Sequence, residues 1–365
     1  MHHLLLAVLI SISGAEVPVD KFADGVKHYR DGSERTQYER YREDQVAEIA
    51  DNLLLYQREN GGWPPNFDPL RVLMPDEKAQ LAGDRQKEDT SFDNRATYPQ
   101  IEYLANAFNA TGDTRYRQAV IRGLEFALES QTGCGGWPHS YPRRDNYRKL
   151  ITFMDDVTAG VLTTLRDAAG GRKPFGFLDS GLRGRIEKAV QKGTHCVLRL
   201  QVVVNGEPTV WAGQYDPVTL QPAKARPYEL PSLVSAESVG VVRYLMGFKE
   251  PAPEVVRAIE GAVKWFEKSK IRGLRVEQIE AETVRYPNHT STFDRRTVND
   301  PDAPPIWARF YEIDTNRPFM ANRDGKKVYS LAEVARERRT GYGWYTYAPQ
   351  KLLDTDYPAW RNRER

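Results

Sequence analysis

Cysteine and histidine are scarce in this chain, with two Cys and six His in 365 residues. No His or Cys spacing resembles a zinc site, so zinc chemistry is set aside. Cys134 lies in a Gly-rich loop and Cys196 in a helical pattern, and their spacing leaves a bridge between them open. Long apolar runs are also missing. The one near the N-terminus, Leu4 to Ile12, is too short to span a bilayer. The stretch MHHLLLAVLISISGA at 1–15 ends on small residues, with Ser13 and Ala15 three and one positions before the expected cut at Glu16. It reads as a secretory signal in which His2 and His3 stand where Lys or Arg is usual. Residues 16–365 are then expected to form a single domain, secreted or periplasmic, with no membrane partner. Surplus charge of one sign is lacking too. The balance is 52 basic against 50 acidic residues, a net +2, which argues against a general nucleic-acid binder.

What the chain does have is helical periodicity. Apolar residues recur at spacings of three and four over 42–57, 98–109, 114–131, 156–169, 181–201, 235–248 and 254–269. Strand signals are confined to 274–284 and to 307–313, short enough for small hairpins. The fold class is therefore mainly α. An internal repeat runs through it: Gln57, Gly61, Gly62, Trp63, Pro64 recurs 74 residues on as Gln131, Gly135, Gly136, Trp137, Pro138. A worn copy follows after 70 more, from Gln201 through Gly206 and Pro208 to Trp211. Such units bury their apolar faces against each other, either in an open solenoid or in a closed ring.

After each copy a helix opens on polar residues: TSFDNRAT (90–97), TFMDDVTA (152–159) and LVSAESVG (233–240). Simple N-capping explains one such start, whereas three equivalent starts would gather polar groups at one end of the fold. Asp93, Asn94 and Asp155 or Asp156 offer the hard oxygen ligands that calcium takes, with Asp93 and Asp155 the chosen members. The long loop WAGQYDPVTLQPAKARPYELPSLVSAES (211–238) adds Lys224, Arg226, Tyr228 and Glu229. Arg309, Arg317 and Arg323 complete a basic set that would read regularly spaced carboxylates bidentately. Trp63, Trp137, Trp211 and Trp344 serve either packing or the faces of sugars.

GGWP twice, TSFDNRATYPQIEYLANAF, TFMDDVTAGVL, TLQPAKARPYELPSLVSAES and RFYEIDTNRPFMANRDG together resemble the polysaccharide lyase family 10 pectate lyases. The resemblance runs from about residue 40 to 350. It implies a secreted enzyme with an (α/α)3 toroid that cleaves polygalacturonate, the polymer of pectin, by β-elimination with calcium (Ca2+); a monomer is expected. By motif, Arg226 matches the catalytic base, Asp155 the substrate-bridging calcium ligand, and Asp93 a carboxylate at the same centre with Asn94 beside it. Arg309 and Arg323 match arginines that hold the uronates, with Lys224 and Tyr228 expected beside them. Lys224 is the substitute base should Arg226 fail. Three rival readings remain. A hydrolase would pair Asp93 with Glu229 or Glu237 as acid and base. A non-catalytic polyuronate-binding protein would keep the cleft and lose the reaction. A terpenoid-cyclase type of toroid would need an apolar cavity, against the charged clusters seen here.

Overall fold

The computed structural model of the protein describes residues 17–32, 37–142, 145–287 and 289–363. The expected signal at 1–15 and its cut before Glu16 lie outside them. Along the chain come α1 (Ala23–Gly32), α2 (Val46–Tyr56) and α3 (Pro75–Gly83), then α4 (Tyr98–Thr111) paired with α5 (Thr114–Glu129). Next, α6 (Val157–Ala169) pairs with α7 (Ser180–Leu200), and α8 (Ser235–Met246) with α9 (Pro253–Lys268). The short α10 (Arg336–Gly341) follows all the strands but the last, Tyr345–Thr346. Helices α4, α6 and α8 pack in a row, each covered by its hairpin partner. This mainly α arrangement is consistent with an (α/α)3 toroid.

The seven periodic segments are all helices, because each carries a stripe that the core absorbs. In α2 the stripe is Val46, Ile49, Ala50 and Leu53, all buried, and in α9 it is Val255, Ile259, Ala262 and Phe266. Helices α1, α3 and α10 were not legible from periodicity. α3 has no buried residue at all, so no stripe marks it. The strand signal at 274 extends into a ribbon of Leu274–Tyr286 paired with His289–Asn299, longer than the small hairpin expected. Trp307–Ala308 and Phe310–Tyr311 form no hairpin together. The first pairs with Tyr345–Thr346 and the second with Pro318–Phe319 and with Leu233–Val234.

The repeat is a hydrogen-bonding device. Gln57 donates from Nε2 to the carbonyls of Gly61 and Ala119, both at 2.9 Å. Gln131 does the same to Gly135 and Ala189, and Gln201 to Thr209 and Ala258. Each glutamine thus ties its own loop to the outer helix of the next hairpin. The tryptophans sit beneath, with Trp63 Nε1 on Leu53, Trp137 on Ala127 and Trp211 on Val197 carbonyls at 2.7–2.8 Å. A fourth, Trp307, bonds the Phe266 carbonyl in the same manner. All four are fully buried and Trp344 nearly so, which assigns them to packing and removes them from sugar stacking. Gly61, at φ +92°, lies so close to α5 that a Cβ there would fall 2.3 Å from the Arg122 carbonyl oxygen. Cys134 and Cys196 are bonded to each other, Cα atoms 5.4 Å apart, joining the second repeat loop to α7. Their meeting depends on the approach of that loop to the helix, which spacing alone does not show.

Candidate active site

The first two polar helix starts are not N-caps. Asn94, Arg95 and Thr97 have φ of +49°, +58° and +73°, and Asp155 and Asp156 have +53° and +58°, a left-handed turn laid before each helix. No side chain caps α4, α6 or α8. Instead Thr97 and Thr158 accept from the backbone N–H of Trp63 and Trp137 and donate to the carbonyls of Ser91 and Thr152. Aligned on these threonines, Asn94 is the equivalent of Asp155, and Arg95 of Asp156. The expectation of three equivalent starts holds for the hydroxyl, since Ser238 accepts from the Trp211 N–H at 3.2 Å in the third, and needs correction in two respects: Asp93 has Met154 as its counterpart, and the third start has no left-handed turn.

The turn decides which aspartate faces which way. Asp156 is taken by Arg95, 2.6 Å away. Asp155 instead meets Asp93 side chain to side chain, and lies 3.7 Å from Nη2 of Arg309. Asp93 Oδ2 also lies 3.0 Å from Nε2 of His139, whose Nδ1 bonds Ser140 Oγ at 2.8 Å. Burial opposes ionisation of Asp93, but His139, Arg226 and the hydrogen bond from Asp155 outweigh it and pull its pKa down to about 2. Asp155 is pushed well up, by burial and by the charge of Asp93. In this pair Asp155 retains the proton, because the contact with His139 and the charge of Arg226 favour the Asp93 carboxylate more than Arg309, 3.7 Å away, favours that of Asp155. Asn94, in the same turn, donates its amide to Asn66 Oδ1 at 2.7 Å.

The basic residues gather on one aromatic floor. Arg226 gives Nε to Glu229 Oε2 at 2.8 Å and Nη2 to Oε1, and its guanidinium lies over the rings of Tyr228 and Tyr342. Arg309 bonds Glu237 Oε1 through Nε at 2.9 Å and lies 4.6 Å over the Tyr342 ring. Arg323 forks onto Glu337 at 2.9 and 3.0 Å and faces Tyr228. The Lys224 ammonium comes next to Gly325, two residues beyond Arg323. Arg317 instead stacks on exposed Tyr329. Tyr228, expected to touch substrate, is 2% exposed and supports the guanidiniums of Arg226, Arg323 and Arg338, so it acts through them.

Burial pulls the Arg226 pKa down, yet the Glu229 carboxylate more than reverses this and holds the guanidinium protonated. Glu229 is correspondingly lowered despite its own burial. An acid pinned as an anion is a poor proton donor, which weakens the hydrolase pairing of Asp93 with Glu229. Sequence reading missed His139, Tyr342, Glu337 and Arg338. His139 carries a signal, directly after the second GGWP; the others follow no motif.

Asp93 and Asp155, two carboxylates in contact and facing cations and solvent, suit a hard divalent cation that would relieve their repulsion. Among the described residues no third His, Cys, Asp or Glu joins them as a ligand cluster. Such a cation would therefore keep positions for water and a substrate carboxylate.

The solved structure of a family 10 polysaccharide lyase from Cellvibrio cellulosa is 32% identical and superposes with a TM-score of 0.74, the match covering 95% of this chain and 99% of that one. An aspartate-to-alanine mutant of a family 10 polysaccharide lyase from the same organism, in complex with trigalacturonic acid, is 31% identical with the same TM-score, covering 94% and 99%. No curated protein sequence matches the chain. The pectic acid lyase family matches residues 57–353, most of the chain and all of the site residues described above. The chain belongs to that family and is a pectate lyase.

Proposed function

We propose that the protein cleaves α-1,4-linked polygalacturonate by calcium-assisted β-elimination, with Arg226 as the base, and releases 4,5-unsaturated oligogalacturonates. The observation that carries this reading is the convergence of the Asp93–Asp155 pair with Arg226 and Arg309, Arg226 acting on Asp93 and Arg309 lying 3.7 Å from Asp155. Asp93 and Asp155, with the amide oxygen of Asn94, are the proposed calcium ligands. When bound, calcium would neutralise the carboxylate of the uronate undergoing cleavage and so acidify its C5 proton. Arg309 and Arg323, backed by Glu237 and Glu337, hold flanking carboxylates in fixed orientation, and Lys224 adds a cation at the Arg323 end. Arg226 takes the C5 proton, the C4–C5 double bond forms, and the C4–O bond breaks with the leaving oxygen taking a proton from water. A guanidinium must first lose a proton to act so, and the neutral fraction grows about tenfold per pH unit below its pKa. Activity is therefore expected to rise with unit slope well above neutral pH. A profile peaking at mildly acidic pH would remove Arg226 as the base and leave Lys224.

The disulfide between Cys134 and Cys196 fits an oxidising compartment, in keeping with secretion or a periplasmic site. Among the described residues no helix is long and apolar enough to cross a membrane. The test is incubation with polygalacturonate, with and without a chelator, following the ultraviolet absorbance of the unsaturated product. Absorbance that appears only with calcium, and vanishes in Arg226→Ala while polymer binding persists, supports the reading. Cleavage without absorbance would establish a hydrolase, and binding without cleavage a non-catalytic protein.

A further inference from the structure

The Arg226 side chain is held by its neighbours on more than one side. Its Nε and Nη2 fork onto the two oxygens of Glu229, and its own backbone N–H adds a third bond to Oε2 at 3.2 Å. Glu229 is 3% exposed and receives a further bond at 2.8 Å from the Tyr342 hydroxyl. Tyr342 is itself buried, and its ring is shared by Arg226 at 5.7 Å and Arg309 at 4.6 Å. One carboxylate thus fixes the direction of the guanidinium, and one phenol fixes the carboxylate.

We propose that Glu229, held by the Tyr342 hydroxyl, is the positioning residue of Arg226, aiming its guanidinium at the substrate and setting the pH at which it can accept a proton. This rests on the reading of Arg226 as base. The titratable groups that act on Arg226 come from several elements. Glu229 and Tyr228 lie in its own loop, Tyr342 follows α10, Asp93 is on the turn before α4, Tyr147 precedes α6, and Arg323 faces it from the turn at 322–325. Of these only Glu229 forms a two-pronged bond with it. Removing that charge removes the strongest interaction favouring the protonated form, whereas the other groups remain.

Glu229→Gln keeps the shape and loses the charge. The amide that replaces the carboxylate can donate to the unprotonated guanidine nitrogen, which favours the neutral base further. The rising limb of the kcat profile should then move about one pH unit or more toward neutrality, the shift expected for loss of a close opposite charge. Tyr342→Phe keeps the ring and removes the donor that shares Glu229. The carboxylate then binds Arg226 more strongly, so the limb should move the opposite way by a smaller amount. Melting curves identify any variant that fails to fold, and either variant alone reads the direction of the shift. A uniform loss of kcat at all pH values, with the limb unmoved in both variants, would make Glu229 a mere scaffold and overturn the inference. Arg226→Ala separates the two readings: if that variant keeps a rising alkaline limb, the base is another group and the proposed mechanism itself fails.

Discussion

Asp155 faces Asp93 and Arg309, whereas Asp156, one residue on, is spent on Arg95. Helical geometry would separate neighbouring side chains by about 100°, and that is all a reading of the motif can use. The choice between the two was not legible because both residues lie in a left-handed turn, a conformation costing on the order of 1 kcal/mol per residue and maintained only by surrounding structure. A protonated Asp155 beside an ionised Asp93 is a further cost at neutral pH. Burial and Asp93 raise the Asp155 pKa, so the stability lost to this group grows as pH rises above the ordinary Asp value. Asp155→Asn should therefore stabilise the metal-free protein at pH 7 by on the order of 1 kcal/mol while lowering turnover by at least about a hundredfold. It should also abolish the rise in melting temperature expected when calcium is added to the unaltered protein. Calorimetry with and without calcium checks both; a destabilised variant that still responds to calcium would remove Asp155 from the ligand set.

The short helix α10 illustrates how much of the site depends on elements without a sequence pattern. Its residues are charged, and it is held from outside by the long ribbon: Asp294 takes Nε and Nη2 of Arg339 at 2.7 and 2.6 Å, and Arg336 reaches the Glu282 carbonyl at 2.6 Å. Arg295 adds bonds to the Arg339 and Tyr342 carbonyls. No apolar stripe exists to announce such a helix, and the alternation in the ribbon showed a hairpin without showing what it clasps. Through α10 the ribbon positions Glu337, which takes both Arg323 and Arg338. Burial works against the Glu337 charge, but the two arginines overcome it and hold its pKa down to about 2. With its folded value below the unfolded one, Glu337 contributes stability that is full above about pH 4.3 and lost as pH falls toward 2. Arg323 is about half exposed, so solvent screening limits the contribution to on the order of 1–2 kcal/mol. Glu337→Gln should flatten the acid limb of a stability profile between about pH 4 and 2. Its melting temperature near neutrality should lie below that of the parent; identical acid limbs would show the pair to be inert.

At the level of the whole molecule, the glutamine and tryptophan repeat was readable because each copy performs the same two tasks: Gln ties the loop to the next outer helix, and Trp fills the space beneath. Similar physical demands left similar residues, so the hairpin architecture could be inferred from spacing. The disulfide could not, since its two ends come from a loop and a helix whose approach is a consequence of that packing. Gly135 makes the approach possible: at φ +121° it lies so near α7 that a Cβ would fall 2.4 Å from the Lys192 carbonyl oxygen. The bond Cys134–Cys196 then closes a separation of 62 residues across the middle hairpin. On the chain-entropy view, closing a loop of that size disfavours the unfolded state by about 4 kcal/mol. Loops of α6 and α7 on either side of the bond carry the middle repeat, so loosening it should weaken cooperativity of the whole before it disturbs the chemistry. Replacing both cysteines by serine is expected to lower the unfolding free energy by about 2–4 kcal/mol. Well below the melting temperature the alkaline limb should not move, since Arg226, Glu229 and Tyr342 lie outside the closed segment, and kcat should stay within about twofold, since the turn carrying Asp155 is held by the hydrogen bonds of Thr158 to Trp137 and Thr152. Treating the parent protein with a reductant should reproduce the loss of stability, and denaturant titration of oxidised, reduced and doubly substituted protein provides the measurement. Equal midpoints in all three would mean that the hairpins hold their register without the covalent tie.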